Sequence, residues 1–151
     1  MIPVTHKLVS VTPPAAIVDN ASFTTATVDR KGFDFARFVV YLGATDIAAA
    51  ALKVQESDDS GMSGAADITG AVFGTSTNDA GSTSTVPSAT DDNKFFTVEI
   101  DLRGRKRYLD LVLTAGDGAT GTYAAVHCVL SRAADGPVTA AERGCGDILR
   151  V

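Results

Sequence analysis

The chain has 151 residues, 45% hydrophobic and 21% charged, with a formal net charge of −5. A domain of this size buries roughly 68–70% of the surface its unfolded chain exposes, so one sizeable core is available and wholesale disorder is disfavoured. The acidic balance argues against nucleic acid as a partner. No apolar run approaches the ~20 residues that span a bilayer, and residues 1–10 show no basic-then-apolar export pattern, so no membrane partner is expected.

In chain order, residues 7–12 read as a strand, and Pro13 and Pro14 then hold the backbone extended without donors of their own. Residues 22–28 are rich in β-branched Thr and Val and suit an edge strand. Residues 1–30 are therefore expected either to pack on the domain or to form an extended N-terminal arm. A stronger strand follows at 33–42, with Phe35, Val39 and Tyr41 on one face and Ala36, Phe38, Val40 and Leu42 on the other. Both faces are expected to be buried, placing it centrally. Behind the potential cap Thr45, residues 46–52 predict a helical turn or two, kept short by alanines with little amphipathicity. Residues 52–57 read as a strand with Leu52, Val54 and Glu56 on one side, closed by turn residues at 58–61. Residues 74–93, dominated by Gly, Ser, Thr, Asn and Asp, predict a long surface loop.

The clearest pattern lies at 95–131. Phe96, Val98, Ile100 and Leu102 alternate with Thr97, Glu99 and Asp101; Leu109, Leu111 and Leu113 alternate with Tyr108, Asp110 and Thr114; a more apolar strand occupies 122–131. Short glycine-bearing turns between them predict an antiparallel meander. Thr139 and Glu142 have the spacing of a capping box, with Gly144 placed to end the turn, so a small helical cap is expected within a C-terminal arm at 137–151. The expected fold is all-β: one antiparallel β-sandwich domain over 1–151, with one or two short helical turns.

Candidate sites are few. His127 and Cys128 are adjacent, but neighbours on a strand point to opposite faces, so they make no nucleophile–base pair. Cys128 and Cys145 lack metal-ligand spacing; two reduced thiols are expected, Cys128 in the core, with a disulfide between them the alternative. His6 points to nothing specific. Asp58–Asp59 and Asp91–Asp92 lack the calcium-loop pattern and read as solvated turn carboxylates. No phosphate loop, dinucleotide fingerprint or nucleophile elbow occurs, so no catalytic residue, cofactor or metal is expected. The remaining feature is the basic run Arg103, Arg105, Lys106 and Arg107, which the meander would put at a hairpin turn. It is a candidate protein-contact site, where Arg pairs carboxylates bidentately. The alternative is a solvated turn that keeps an edge from aggregating.

Three stretches carry a resemblance: Tyr41-Leu42-Gly43-Ala44-Thr45-Asp46-Ile47, Leu52-Lys53-Val54-Gln55-Glu56-Ser57-Asp58-Asp59, and Tyr108-Leu109-Asp110-Leu111-Val112-Leu113-Thr114-Ala115-Gly116. Together they resemble small head proteins of tailed bacteriophages, in particular capsid decoration (cement) proteins. That resemblance implies a jelly-roll-like sandwich, a homotrimer, and a non-enzymatic role stapling neighbouring major capsid subunits on the virion's outer surface after assembly in the host cytoplasm. The alternatives are a carbohydrate-binding sandwich module, weakened by the absence of Trp and by Phe on apolar strand faces, and another minor tail or fibre protein. A hydrolase using Glu99 and Asp101 is a remote third.

Overall fold

A computed structural model describes residues 6–12, 17–23, 25–133 and 139–149. They form β1 (Lys7–Thr12), β2 (Val28–Asp29), β3 (Phe33–Thr45), β4 (Ala51–Ser57), β5 (Ala66–Val72), β6 (Phe95–Asp101), β7 (Tyr108–Thr114) and β8 (Thr122–Ala133). One sheet has the order β1-β8-β3-β6 and the other β2-β7-β4-β5, with every pairing antiparallel. The pairs β1–β8, β2–β7, β3–β6 and β4–β5 nest inside one another, and β8–β3 and β7–β4 close the roll. This is the strand order of a jelly roll, a two-sheet sandwich.

Alternation explains the core. Phe38, Val40 and Leu42 of β3, Leu52 and Val54 of β4, Leu109, Leu111 and Leu113 of β7, and Val126, Cys128 and Leu130 of β8 all point inward and are essentially inaccessible. At roughly 1.5–3 kcal/mol per fully buried large side chain, this layer supplies the main drive to fold.

The sequence reading departs from this structure in five places. First, β6, β7 and β8 form no meander. β6 and β8 lie in one sheet with β3 between them, and β7 lies in the other. One buried face per strand is equally compatible with hairpin pairing and with facing sheets about 10 Å apart. Second, residues 46–50 are not helical. The amide of Ala49 bonds to the Pro87 carbonyl at 2.8 Å and that of Ala50 to Thr114 at 2.9 Å, so tertiary acceptors take the donors a helix would have used. Third, the expected strand at 22–28 reduces to a bridge from Ser22 to Thr114 plus the short β2. This segment crosses between the sheets: Phe23 N–H donates to Leu113 and Ala26 N–H to Val11. Fourth, β5 went unpredicted. Only Ile68 and Ala71 of it are buried, Gly70 sits at φ 89°, and its register with β4 is irregular. Fifth, β3 is central but buries only one face.

Of the expected arm over 1–30, the described residues are built into the sandwich: β1 pairs with β8, Val18 bridges Thr122, and Phe23 and Val28 are core. Met1 to Thr5 and residues 13–16 lie outside the described residues. In the 137–151 arm, the capping box forms as expected. Thr139 N–H donates to Glu142 Oε2 at 3.0 Å and Glu142 N–H to Thr139 Oγ1 at 3.2 Å, and Gly144 closes the single turn at φ 70°. Residues 137, 138, 150 and 151 lie outside the described residues.

Candidate interaction surfaces

The basic run lies on an arch, residues 102–107, that carries the chain from β6 in one sheet to β7 in the other. Its charges are largely spent within the molecule. Arg103 Nε donates to Asp101 at 2.9 and 3.1 Å, and its Nη2 also meets that carboxylate. Arg105 lies 3.5 Å from Glu56, which also accepts the Lys106 amide at 3.1 Å. Lys106 Nζ is 3.4 Å from Asp58. Arg107 makes bonds of 2.9 and 2.6 Å to Asp29, and its guanidinium lies over the Tyr108 ring. These pairs hold the Asp29 and Asp101 carboxyls below the ordinary carboxylate range, chiefly through the guanidinium hydrogen bonds, and raise Arg103 and Arg107.

The arch also has a clasp. Arg30, just past β2, donates from Nε to the Lys106 carbonyl at 3.1 Å and from Nη2 to the Arg105 carbonyl. The four candidate residues are thus brought together, with their cations distributed among separate carboxylates.

The outward faces of the two sheets differ in kind. On the β2-β7-β4-β5 sheet, Lys53 pairs with Asp67 at 2.9 Å, Gln55 donates to Asp67 at 2.6 Å, and Thr25 donates to Asp110. That face is polar, as a solvated antiparallel sheet normally is. On the β1-β8-β3-β6 sheet, strand register sets the outward residues in rows. Phe95, Tyr41 and Ala125 share one row; Thr97, Val39, His127 and Ser10 the next; Glu99, Arg37, Val129 and Leu8 the next. Tyr41 and Phe95 stack with ring centroids 4.7 Å apart, and Tyr123 lies over Gly43, where a Cβ would sit 2.9 Å from its own. Phe95 is 63% exposed, Tyr123 46% and Tyr41 39%. Exposed aromatics gathered on one face are a candidate contact surface. Arg37 and Glu99 pair at 2.5 Å at the patch's border.

Sequence reasoning missed these aromatics. Strand parity was the available signal: Phe95 shares its side with Thr97, Glu99 and Asp101, so it faces out wherever Phe96 faces in.

A groove of about 560 Å³ runs between β5 and β6, the edge strands on one flank of the sandwich. Its apolar wall is Ala71, Phe73, Phe96 and Val98, and its rim includes Asn78, Asp79, Thr97 and Glu99.

The other sequence candidates take structural positions. His127 is exposed and Cys128 is buried on the opposite face, and both cysteines are free. Asp91 accepts from the Ser88 amide at 2.7 Å and Lys94 Nζ at 2.7 Å, Asp92 accepts from the Thr45 amide at 2.8 Å, and Asp59 from the Gly61 amide at 2.8 Å. No group of three metal-ligating side chains occurs among the described residues. In comparisons with known proteins, no family model, curated protein or solved structure matches the chain.

Proposed function

We propose that this protein is a structural component of a tailed-phage virion that binds the outer surface of the capsid and staples neighbouring major capsid subunits. The observation that carries the reading is the cluster of exposed aromatics Tyr41, Phe95 and Tyr123 on the outward face of the β1-β8-β3-β6 sheet of a jelly-roll scaffold, set against the polar face of the other sheet. A staple needs rigid geometry and adhesive area. Symmetry then multiplies weak contacts, because the second and third become effectively intramolecular. Binding only to the assembled shell stabilises that shell by mass action.

The test is quantitative mass spectrometry of particles purified from the source, giving the molar ratio of this chain to the main shell protein. A near-stoichiometric ratio is expected. A few copies per particle would place the chain in the tail or portal, and absence would overturn the virion reading.

A second reading has an observation of its own. Exposed Tyr41, Phe95 and Tyr123 are residue types on which sugars stack, so a carbohydrate-binding module regains ground that the sequence denied it. Glycan-array binding that disappears in Phe95→Ser would favour it.

A further inference from the structure

The flank formed by β5 and β6 leaves both a strand edge and part of the core open. The β1 edge, by contrast, is covered: Leu8 N–H donates to the Arg143 carbonyl at 2.8 Å and Ala26 N–H to the Val11 carbonyl. β6 pairs with β3 in unbroken register from Phe95 to Asp101, and among the described residues no strand pairs with its other side. Leu42 N–H donates to the Lys94 carbonyl and Leu102 N–H to that of Asp34, so the even-numbered residues of β6 bond to β3. The amides and carbonyls of Phe95, Thr97 and Glu99 therefore point away from the sheet, repeating at about 6.8 Å, twice the strand rise. In the groove beside them, Phe73 and Phe96 meet edge to face with ring centroids 5.8 Å apart, and both are only partly buried against the core.

The groove, at about 560 Å³, has the volume of a ligand cleft. Its polar groups decide what kind of ligand fits. Ser84 Oγ donates to the Ser76 carbonyl at 2.7 Å, Ser76 Oγ accepts from the Val72 amide at 3.0 Å, and Asn78 Oδ1 accepts from the Ala80 and Ser82 amides at 3.1 and 3.0 Å. The side-chain hydroxyls and amide that would hold a saccharide are thus spent closing the loop that forms the groove's far wall. What remains is a row of main-chain donors and acceptors in strand spacing next to an apolar wall, the two halves of a strand-addition site. Charge narrows the occupant further. The lining includes Asp79 and Glu99 but no Lys or Arg. Glu99 pairs with Arg37, whereas Asp79 is exposed and its carboxylate has no bonding partner among the described residues.

We infer that the β6 edge binds an extended, basic segment of a partner polypeptide, which adds to the sheet as a further strand alongside Phe95, Thr97 and Glu99. Alternation sends every second side chain of that segment into the groove, where aliphatic residues pack on Phe73, Phe96 and Val98. A neighbouring Lys or Arg supplies the charge that Asp79 lacks. The main-chain bonds give affinity, and the apolar and cationic positions give selectivity. The inference does not rest on the shell reading, because it concerns the flank of the sandwich and holds whatever the aromatic face binds.

The experiment is an amide NMR titration of the isotope-labelled full chain with a synthetic peptide in which valines alternate with threonines between terminal lysines. Saturable binding is expected, with the amides of Phe95, Thr97 and Glu99 among the most shifted. Two further probes carry N-methyl groups, one on the valine amides and one on the threonine amides. In a strand only one of these sets faces β6, so one probe should lose about 10-fold or more in affinity and the other should bind nearly as well as the parent. Which set matters reports the strand's direction. Thr97→Pro removes an outward amide that β3 does not use and should weaken the parent peptide about 10-fold, and Asp79→Lys should weaken it about 3- to 10-fold. No saturable binding, equal effects of the two methylated probes, shifts confined to other strands, or β6 edges that pair with each other into a dimer and exclude the peptide would overturn the assignment. Should Thr97→Pro fail to fold, the methylated probes carry the test on the wild type.

Discussion

At the residue scale, Asp91 shows how a turn carboxylate closes the end of the long loop on itself, from Ser88 to Lys94. The Lys94 ammonium, then the Ser88 amide and hydroxyl, depress its pKa from 3.8 to about 2. A depressed carboxylate contributes stability that is fully present above its unfolded value and is lost as pH falls through its folded one. The stability gap between wild type and Asp91→Asn should therefore be constant above about pH 5 and shrink between about pH 4 and 2, as read from urea midpoints. A gap unchanged across that window would mean that the Asp91 charge adds nothing to folding.

Cys128 offers a second residue-scale test. Burial pushes its thiol up to about 12, so it is both protonated and covered in the native state. Cys145 is only partly buried. A thiol reagent should label one cysteine in native protein and two in denaturant; rapid native labelling of Cys128 would contradict the packing of β8.

At the element scale, magnitudes separate the conspicuous charges from the important one. The carboxylate pairs of Arg103 and Arg107 are exposed, and solvent-screened pairs of this kind add little to stability. Arg30 instead satisfies two arch carbonyls in a partly buried setting, where charged hydrogen bonds contribute about 1.5–3 kcal/mol. Arg30→Ala should lower stability by about 2 kcal/mol, while Arg103→Ala should leave the midpoint nearly unmoved, both measured by chemical denaturation. Equal effects would deny the arch its clasp.

The same arch marks where the sequence stops being legible. Alternation located β1, β3, β4, β6, β7 and β8, because each buries one face. It carried no information on which sheet a strand joins, so the arch was taken for a hairpin and the basic run for its tip. The turn at Thr139–Glu142 was legible because both bonds of the capping box are local. The helical turn after Thr45 failed because its competitors, Pro87 and Thr114, lie far away in sequence. The outward position of Phe95 was readable from parity, since Phe96 shares the apolar side of Val98 and Ile100, whereas Tyr41 lies on a face of β3 that was expected to be buried.

At the scale of the whole molecule, the two outward faces differ in kind, and the proposed shell contact uses the aromatic one. The β2-β7-β4-β5 face is polar, while the aromatic face concentrates apolar area where it contributes little to folding. Removing a side chain that is 63% exposed forfeits little burial, and the Tyr41–Phe95 stack adds about 0.5–1.5 kcal/mol. Phe95→Ser should therefore cost the isolated protein about 1 kcal/mol, a few degrees in melting temperature. On shells, the same substitution removes a ring from the centre of the proposed contact at every symmetry-related site, so the loss repeats with each copy bound. Shells reconstituted with Phe95→Ser should retain less of the chain after sedimentation and lose their added heat resistance, even though the variant itself still melts near the wild type. If retention and shell melting are unchanged, the adhesive face lies elsewhere, and the basic arch becomes the next surface to substitute.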